Sequence, residues 1–218
     1  LGYSSFKNMQ FIISMELDEE KPNSSDSILE EIRNDIIDKL DHTIERIGQK
    51  EIDQAIELLS NANNIFCFGS GTSGLSAEAC GMRLIRNGTK CYYTKDEHFQ
   101  GMLATLAKEG DVVLAFSFSG SSIDTIQCVE VAKKYGAKII GITSSPVSHL
   151  ANLSDVKLIT SKSENSYTAG NLVTLTIHMF VANVLTTRLS MLDSQKTSLA
   201  RQRTREVTQK KIISSIEK

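Results

Sequence analysis

Two short loops carry most of the groups in this sequence that are able to do chemistry. The first reads Gly69-Ser70-Gly71-Thr72-Ser73-Gly74 and the second Ser117-Phe118-Ser119-Gly120-Ser121-Ser122. Each leaves a short apolar run, IFCF before the first and VVLAF before the second, and each leads into a helical pattern. Such a loop offers backbone N–H groups at a helix N-terminus, where unsatisfied donors and the helix dipole favour an anion. Gly71 and Gly120 let the backbone approach a ligand closely. The hydroxyls of Thr72, Ser73, Ser117, Ser119, Ser121 and Ser122 add donors without filling the space. Neither loop holds a lysine or arginine, so neither is the P-loop whose lysine reaches the outer phosphates of a nucleotide. A lysine-free nest rich in hydroxyls suits a single phosphate monoester better than a triphosphate.

Two other readings compete for the same residues. The first loop matches G-x-G-x-x-G, and Asp96 lies 22 residues beyond Gly74. A dinucleotide site, however, wants its ribose-binding acid at the end of the second strand, and that strand ends at Tyr93 or Thr94. It also gives the second loop no role. The plainer alternative is that the serines cap helices, for which Ser73 and Ser122 are suitably placed. Two hydroxyl-rich glycine loops at equivalent strand ends are more than capping requires.

The elements that must position these loops alternate along the chain. Apolar runs at Ile65–Phe68, Cys91–Thr94, Val112–Phe116, Lys138–Thr143 and Val156–Thr160 read as strands. Helical stretches separate them at about Gly74–Arg86, 97–108 and the segment ending at Tyr135. Continuous apolar strands divided by helices indicate a parallel sheet in an α/β layer fold. Ligands bind such sheets at the carboxyl ends of the strands, near the point where strand order reverses. In the order 2-1-3-4-5 the loops after strands one and three are neighbours, so one ligand would touch both. Further helices are expected at Ile28–Ile47 and Glu51–Leu59 before the sheet, and at Tyr167–Leu189 and Ser194–Ile216 after it. The stretch Leu172–Leu185 is apolar nearly all round, which marks a core helix or a subunit interface.

Composition bounds the function class. The 218 residues are 40% hydrophobic and 23% charged with a net charge of −2, a globular balance that excludes disorder and collagen-like repeats. That length suits one domain with appendages. No signal-peptide pattern opens the chain, and no stretch is read as the ~20 apolar residues a membrane crossing needs. Cys67, Cys80, Cys91 and Cys128 form no CxxC pair, and Cys67 and Cys91 sit inside apolar runs as small hydrophobes, pointing away from disulfides and zinc and toward a reducing cytoplasm. No spacing of His, Cys and carboxylates suggests a metal, and no cofactor is expected. Charge is segregated: Glu16–Glu57 holds 14 acidic against 5 basic residues, and Lys196–Lys218 holds 7 basic against 2 acidic. The basic tail fits a nucleic acid, the acidic helices, or solvent. His178, within LVTLTIHMFVANVL, reads as a satisfied core histidine, and His149 has no evident partner.

The paired motifs GSGTS and SFSGSS on a five-stranded α/β pattern resemble the SIS (sugar isomerase) domain over roughly Glu30 to Leu189. The resemblance implies a three-layer fold with a parallel sheet in the order 2-1-3-4-5, no cofactor and a phosphosugar ligand. It implies that Ser117, Ser119 and Ser122 supply hydroxyls, Phe118 and Ser121 backbone groups, and that Gly71, Thr72 and Ser73 close the other side. LGYSSFKNMQFIISMEL resembles the end of the helix-turn-helix domain of RpiR-type transcriptional regulators. GMRLIRNGTKCYYTKDEHFQGMLATLAKEGDVVLAFSFSG, with its D-x-H-x-Q stretch, resembles their sensor domain. On this reading residues 1–17 are a helix-turn-helix remnant, 18–27 a linker, 28–192 the SIS domain and 193–218 a C-terminal helix. DNA contact is then expected only through a helix-turn-helix domain mostly missing from this sequence, and a homodimer or dimer of dimers is expected. Asp96 and His98 are candidates for sugar hydroxyls. Glu164 is a ligand contact or, in the alternative of an aldose–ketose phosphosugar isomerase, the base that shuttles a proton between neighbouring carbons.

Overall fold

The computed structural model describes residues 25–162 and 172–209. Five parallel strands form one sheet: β1 (Ile65–Gly69), β2 (Cys91–Tyr93), β3 (Val112–Phe116), β4 (Lys138–Thr143) and β5 (Val156–Ile159). Their order is β2-β1-β3-β4-β5, as the sequence predicts. Helices α1 (Ser25–Arg46) and α2 (Gln49–Asn61) precede the sheet. Between the strands run α3 (Gly71–Arg86), α4 (Glu97–Ala104), α5 (Ile123–Lys134) and α6 (His149–Leu153), and α7 (Leu172–Leu192) and α8 (Ser194–Gln209) follow.

Alternation along each strand divides the core in two. Ile65, Cys67, Leu114, Phe116, Ile140 and Ile142 pack against Ile56 and Leu59 of α2, Ala77 and Leu84 of α3, and Val181 and Leu185 of α7. Phe66, Phe68, Val113, Ala115 and Ile139 pack on the other side against Leu103 of α4, Ile126 and Val129 of α5, and Leu150 of α6. Burial on both faces is why these strands read as unbroken apolar runs. The connection from β1 to β2 runs one way across the sheet and those from β3 to β5 run the other. Strand order therefore reverses between β1 and β3, where Gly69 stands opposite Phe116.

Three features emerge only in the fold. Helix α6 carries no long apolar period and went unrecognised, although Ser148 caps it by accepting from the Ala151 N–H at 3.2 Å. Helix α7 is, by length and composition alone, apolar enough to cross a membrane; its Val173, Ile177, Val181, Ala182 and Leu185 are buried in the protein, which identifies it as a core helix. Cys67 and Cys91, 24 residues apart, meet with sulfurs 3.6 Å from each other. Hydrogen bonding to Cys80, then to Cys91, and burial hold the Cys67 thiol well above the ordinary thiol range.

Candidate functional site

The first loop leaves β1 at Gly69 and turns into α3. Gly71 has φ +54°, and a Cβ there would meet nothing within 4 Å. Positive φ favours glycine, and the space beside this glycine is open. Thr72 and Ser73 are half-buried in the first turn of α3. Gln100, 2% exposed, fixes the strand end from below. Its amide nitrogen donates to the carbonyls of Gly69 (2.8 Å) and Thr94 (2.9 Å), and its oxygen accepts from the Gly69 N–H at 3.1 Å.

The second loop is held more tightly. Ser117 is fully buried, continues the ladder by donating its N–H to Ile142 (3.1 Å), and its hydroxyl lies 3.1 Å from that of Ser122. The Phe118 carbonyl accepts three donors: the Thr143 hydroxyl (3.0 Å), the Ser144 hydroxyl (2.9 Å) and the Ser144 N–H (3.0 Å). Ser119 and Ser121 are exposed, and the Ser121 N–H donates to the Ser119 hydroxyl at 3.2 Å. Gly120, with φ +65°, packs directly on Ser148 and Thr143. The outer face of the loop is thus bound to β4 and its following turn, leaving the serines on the inner side.

The two loops adjoin because β1 and β3 pair, and the Ser70 hydroxyl lies 3.5 Å from that of Thr125 in the first turn of α5. The N-cap positions are Ser70 for α3 and Ser122 for α5, and neither side chain makes a capping hydrogen bond. Ser73 falls inside α3 instead of capping it. Capping, the plain reading of these serines, does not use their hydroxyls. The first N–H groups of both helices therefore remain available as donors.

The segment after β2 behaves differently. Asp96 caps α4, accepting from the Phe99 N–H at 2.8 Å, and His98 stands exposed on the first turn. What ties this segment to the first loop is Gln100, the last residue of D-x-H-x-Q, whose role no local pattern signals. Glu164 lies outside the described residues.

His178 departs from the reading of a satisfied core histidine. It is fully buried and, among the described residues, neither ring nitrogen finds a hydrogen-bond partner; its ring centroid lies 5.9 Å from Phe116 and 6.4 Å from Phe118. Burial pushes its pKa down from 6.5 to about 4. The unfolded chain therefore binds a proton that the folded chain refuses between those values. The corresponding stability is fully present above about pH 6.5 and lost as pH falls toward 4, a total of about 3 kcal/mol. Denaturant midpoints at about pH 5 and pH 7 read this slope, and His178→Phe is expected to flatten it. A slope unchanged in that variant would assign the acid sensitivity elsewhere.

Comparison with known proteins gives this geometry its relatives. The sequence profile of the SIS domain matches residues 58–188. An uncharacterized HTH-type transcriptional regulator of Haemophilus influenzae is 26% identical over 199 residues, covering 85% of this chain and 69% of that protein. Among solved structures, the NanR protein of Vibrio vulnificus complexed with ManNAc-6P superposes with TM-score 0.84 at 24% identity, over 98% of this chain and 78% of that one. The sugar isomerase domain of the RpiR transcription factor from Sphaerobacter thermophilus gives 0.72 at 19% identity, over 80% and 96%. The phosphoheptose isomerase GmhA of Neisseria gonorrhoeae gives 0.67 at 18%, over 77% and 100%. Regulators and isomerases thus share this fold, and the chain belongs to the SIS domain family.

Proposed function

We propose that this chain is the phosphosugar-sensing part of an RpiR-type transcriptional regulator. The observation that carries the reading is the meeting of two Ser/Gly loops where strand order reverses, with hydroxyls that capping does not use. Gly71, Thr72 and Ser73 on one side, and Ser117, Phe118, Ser119, Ser121 and Ser122 on the other, surround the phosphate. Asp96, His98 and Glu164 serve the sugar. The curated relative is an HTH-type regulator, and the NanR protein was solved with ManNAc-6P; both support a sensor. Residues 1–17, outside the described residues, belong to a helix-turn-helix domain, 18–27 link it to the SIS domain at 28–192, and 193–218, with α8 at Ser194–Gln209, follow that domain. Any DNA contact is made through the helix-turn-helix domain. The chain works in the cytoplasm as a homodimer or a dimer of dimers, in which ligand binding shifts the relative arrangement of paired domains.

Phosphorus NMR of the protein with hexose, pentose and amino-sugar phosphates, ManNAc-6P among them, tests this. Selective broadening of one ligand, with no new resonance over hours, is expected. Ser119→Ala should weaken that ligand about tenfold, the scale of one hydrogen bond to a charged group. Unchanged affinity in Ser119→Ala would show that the phosphate sits elsewhere. The likeness to phosphoheptose isomerase favours one second reading. An isomerase would produce a new resonance growing with protein concentration and absent from Glu164→Gln.

A further inference from the structure

Neither serine loop holds a cation, yet a phosphate monoester carries about −1.5 to −2 charge near neutrality. The fold brings one to the same sheet edge from a distant part of the sequence. The end of α1 is pinned over the carboxyl ends of the strands. Thr43, fully buried, accepts the Ser161 N–H at 3.0 Å and donates to the Lys39 carbonyl at 2.7 Å. One turn on, Arg46 donates through Nη2 to the Ser144 carbonyl at 3.3 Å. Ser144 is the residue whose N–H and hydroxyl hold the Phe118 carbonyl in the middle of the second loop. The guanidinium therefore stands one residue removed from the backbone that would cradle the phosphate.

Its charge is uncommitted. Among the described residues no carboxylate pairs with Arg46, whereas Lys95, the cation following β2, is paired with Glu78 at 2.9 Å. One contact to a carbonyl leaves most of the five guanidinium donors free for a planar, two-point grip on phosphate oxygens. Arg46 is exposed, so turning toward a ligand breaks only its one part-buried hydrogen bond to Ser144.

We infer that Arg46 is the cationic contact for the phosphate dianion of the ligand. The inference rests on the phosphosugar reading and adds the residue that would let the site prefer a phosphorylated sugar over the free one.

Titration calorimetry of the full chain with ManNAc-6P, glucosamine 6-phosphate and inorganic phosphate, at low and high salt, tests it. Arg46→Gln is expected to weaken the tightest phosphosugar by roughly 10- to 100-fold and to reduce the salt dependence of binding. Arg46→Lys should lose less, because it keeps the charge and forfeits only the fork. Lys162→Gln, which removes an exposed cation just beyond β5, should bind like the unmodified chain. Thermal unfolding of Arg46→Gln should match that of the parent. If Ser119→Ala loses the ligand while Arg46→Gln keeps it, or if Lys162→Gln carries the loss instead, the assignment to Arg46 is wrong and the phosphosugar reading stands. A parent chain that binds none of the three probes would overturn both.

Discussion

Gly120→Ala is expected to destabilise the fold by roughly 2–5 kcal/mol and to abolish phosphosugar binding. Two costs add. At φ +65° the new methyl group is strained by about 1–2 kcal/mol. The methyl also meets the Ser148 hydroxyl and Cβ in overlap, and the Thr143 hydroxyl at 2.7 Å, in backbone already fixed by the Leu150 N–H donating to Gly120. Overpacking of this kind costs about 1–3 kcal/mol. Relief requires the second loop to swing away from β4, which breaks the three hydrogen bonds on the Phe118 carbonyl and disperses the serines. Gly71→Ala is the matched comparison: its φ has the same sign and its surroundings are open, so only the strain remains. Thermal unfolding should place Gly120→Ala well below Gly71→Ala, at roughly 2–4 °C per kcal/mol for a chain of this length. Equal melting temperatures would contradict the packing of Gly120 on Ser148.

The second large effect is expected at Gln100. Among the described residues its side chain alone bonds both the N–H and the carbonyl of Gly69, in a buried setting, and it also donates to the half-buried Thr94 carbonyl. Gln100→Ala strands these groups, at about 1–3 kcal/mol for each buried one left unpartnered. A total near 3 kcal/mol is expected, because water can reach the half-buried Thr94. Gln100→Glu is the sharper variant. It keeps the shape but replaces the amide donor with an oxygen facing two carbonyls, so it should be no more stable than alanine above the carboxylate pKa. Folding stability by denaturant titration reads both. A Glu variant as stable as the parent would mean that the amide contributes packing and not hydrogen bonds. Ligand affinity should fall in parallel, since Gly69 sets the direction in which the first loop departs.

The central strands were the most legible because burial on both faces writes an unbroken apolar run into the chain, and Val112–Phe116 and Lys138–Thr143 match to the residue, whereas β2 and β5, partly exposed, differ from their predicted ends by one residue. The two loops were legible because chemistry at a strand end needs glycine and hydroxyls in consecutive positions. Helix boundaries were less so: α3 begins at Gly71, three residues before its first apolar period, because the turn itself is helical. His178 illustrates the opposite limit. An apolar neighbourhood in sequence showed that it is buried, but whether its nitrogens find partners depends on which side chains of other elements face it.

Sequence by itself determined the sheet, its two-sided core and the residue types of both loops, since these follow from periodicities of a few residues. The tertiary structure alone decided which of those residues act together. The Gln100 clamp on Gly69 spans 31 positions, the Arg46 contact with Ser144 spans 98, and the Thr43 contact with Ser161 spans 118. No local pattern encodes such pairs. They arise because parallel strands must all end at one edge, and because the C-terminal end of α1 lies at that edge.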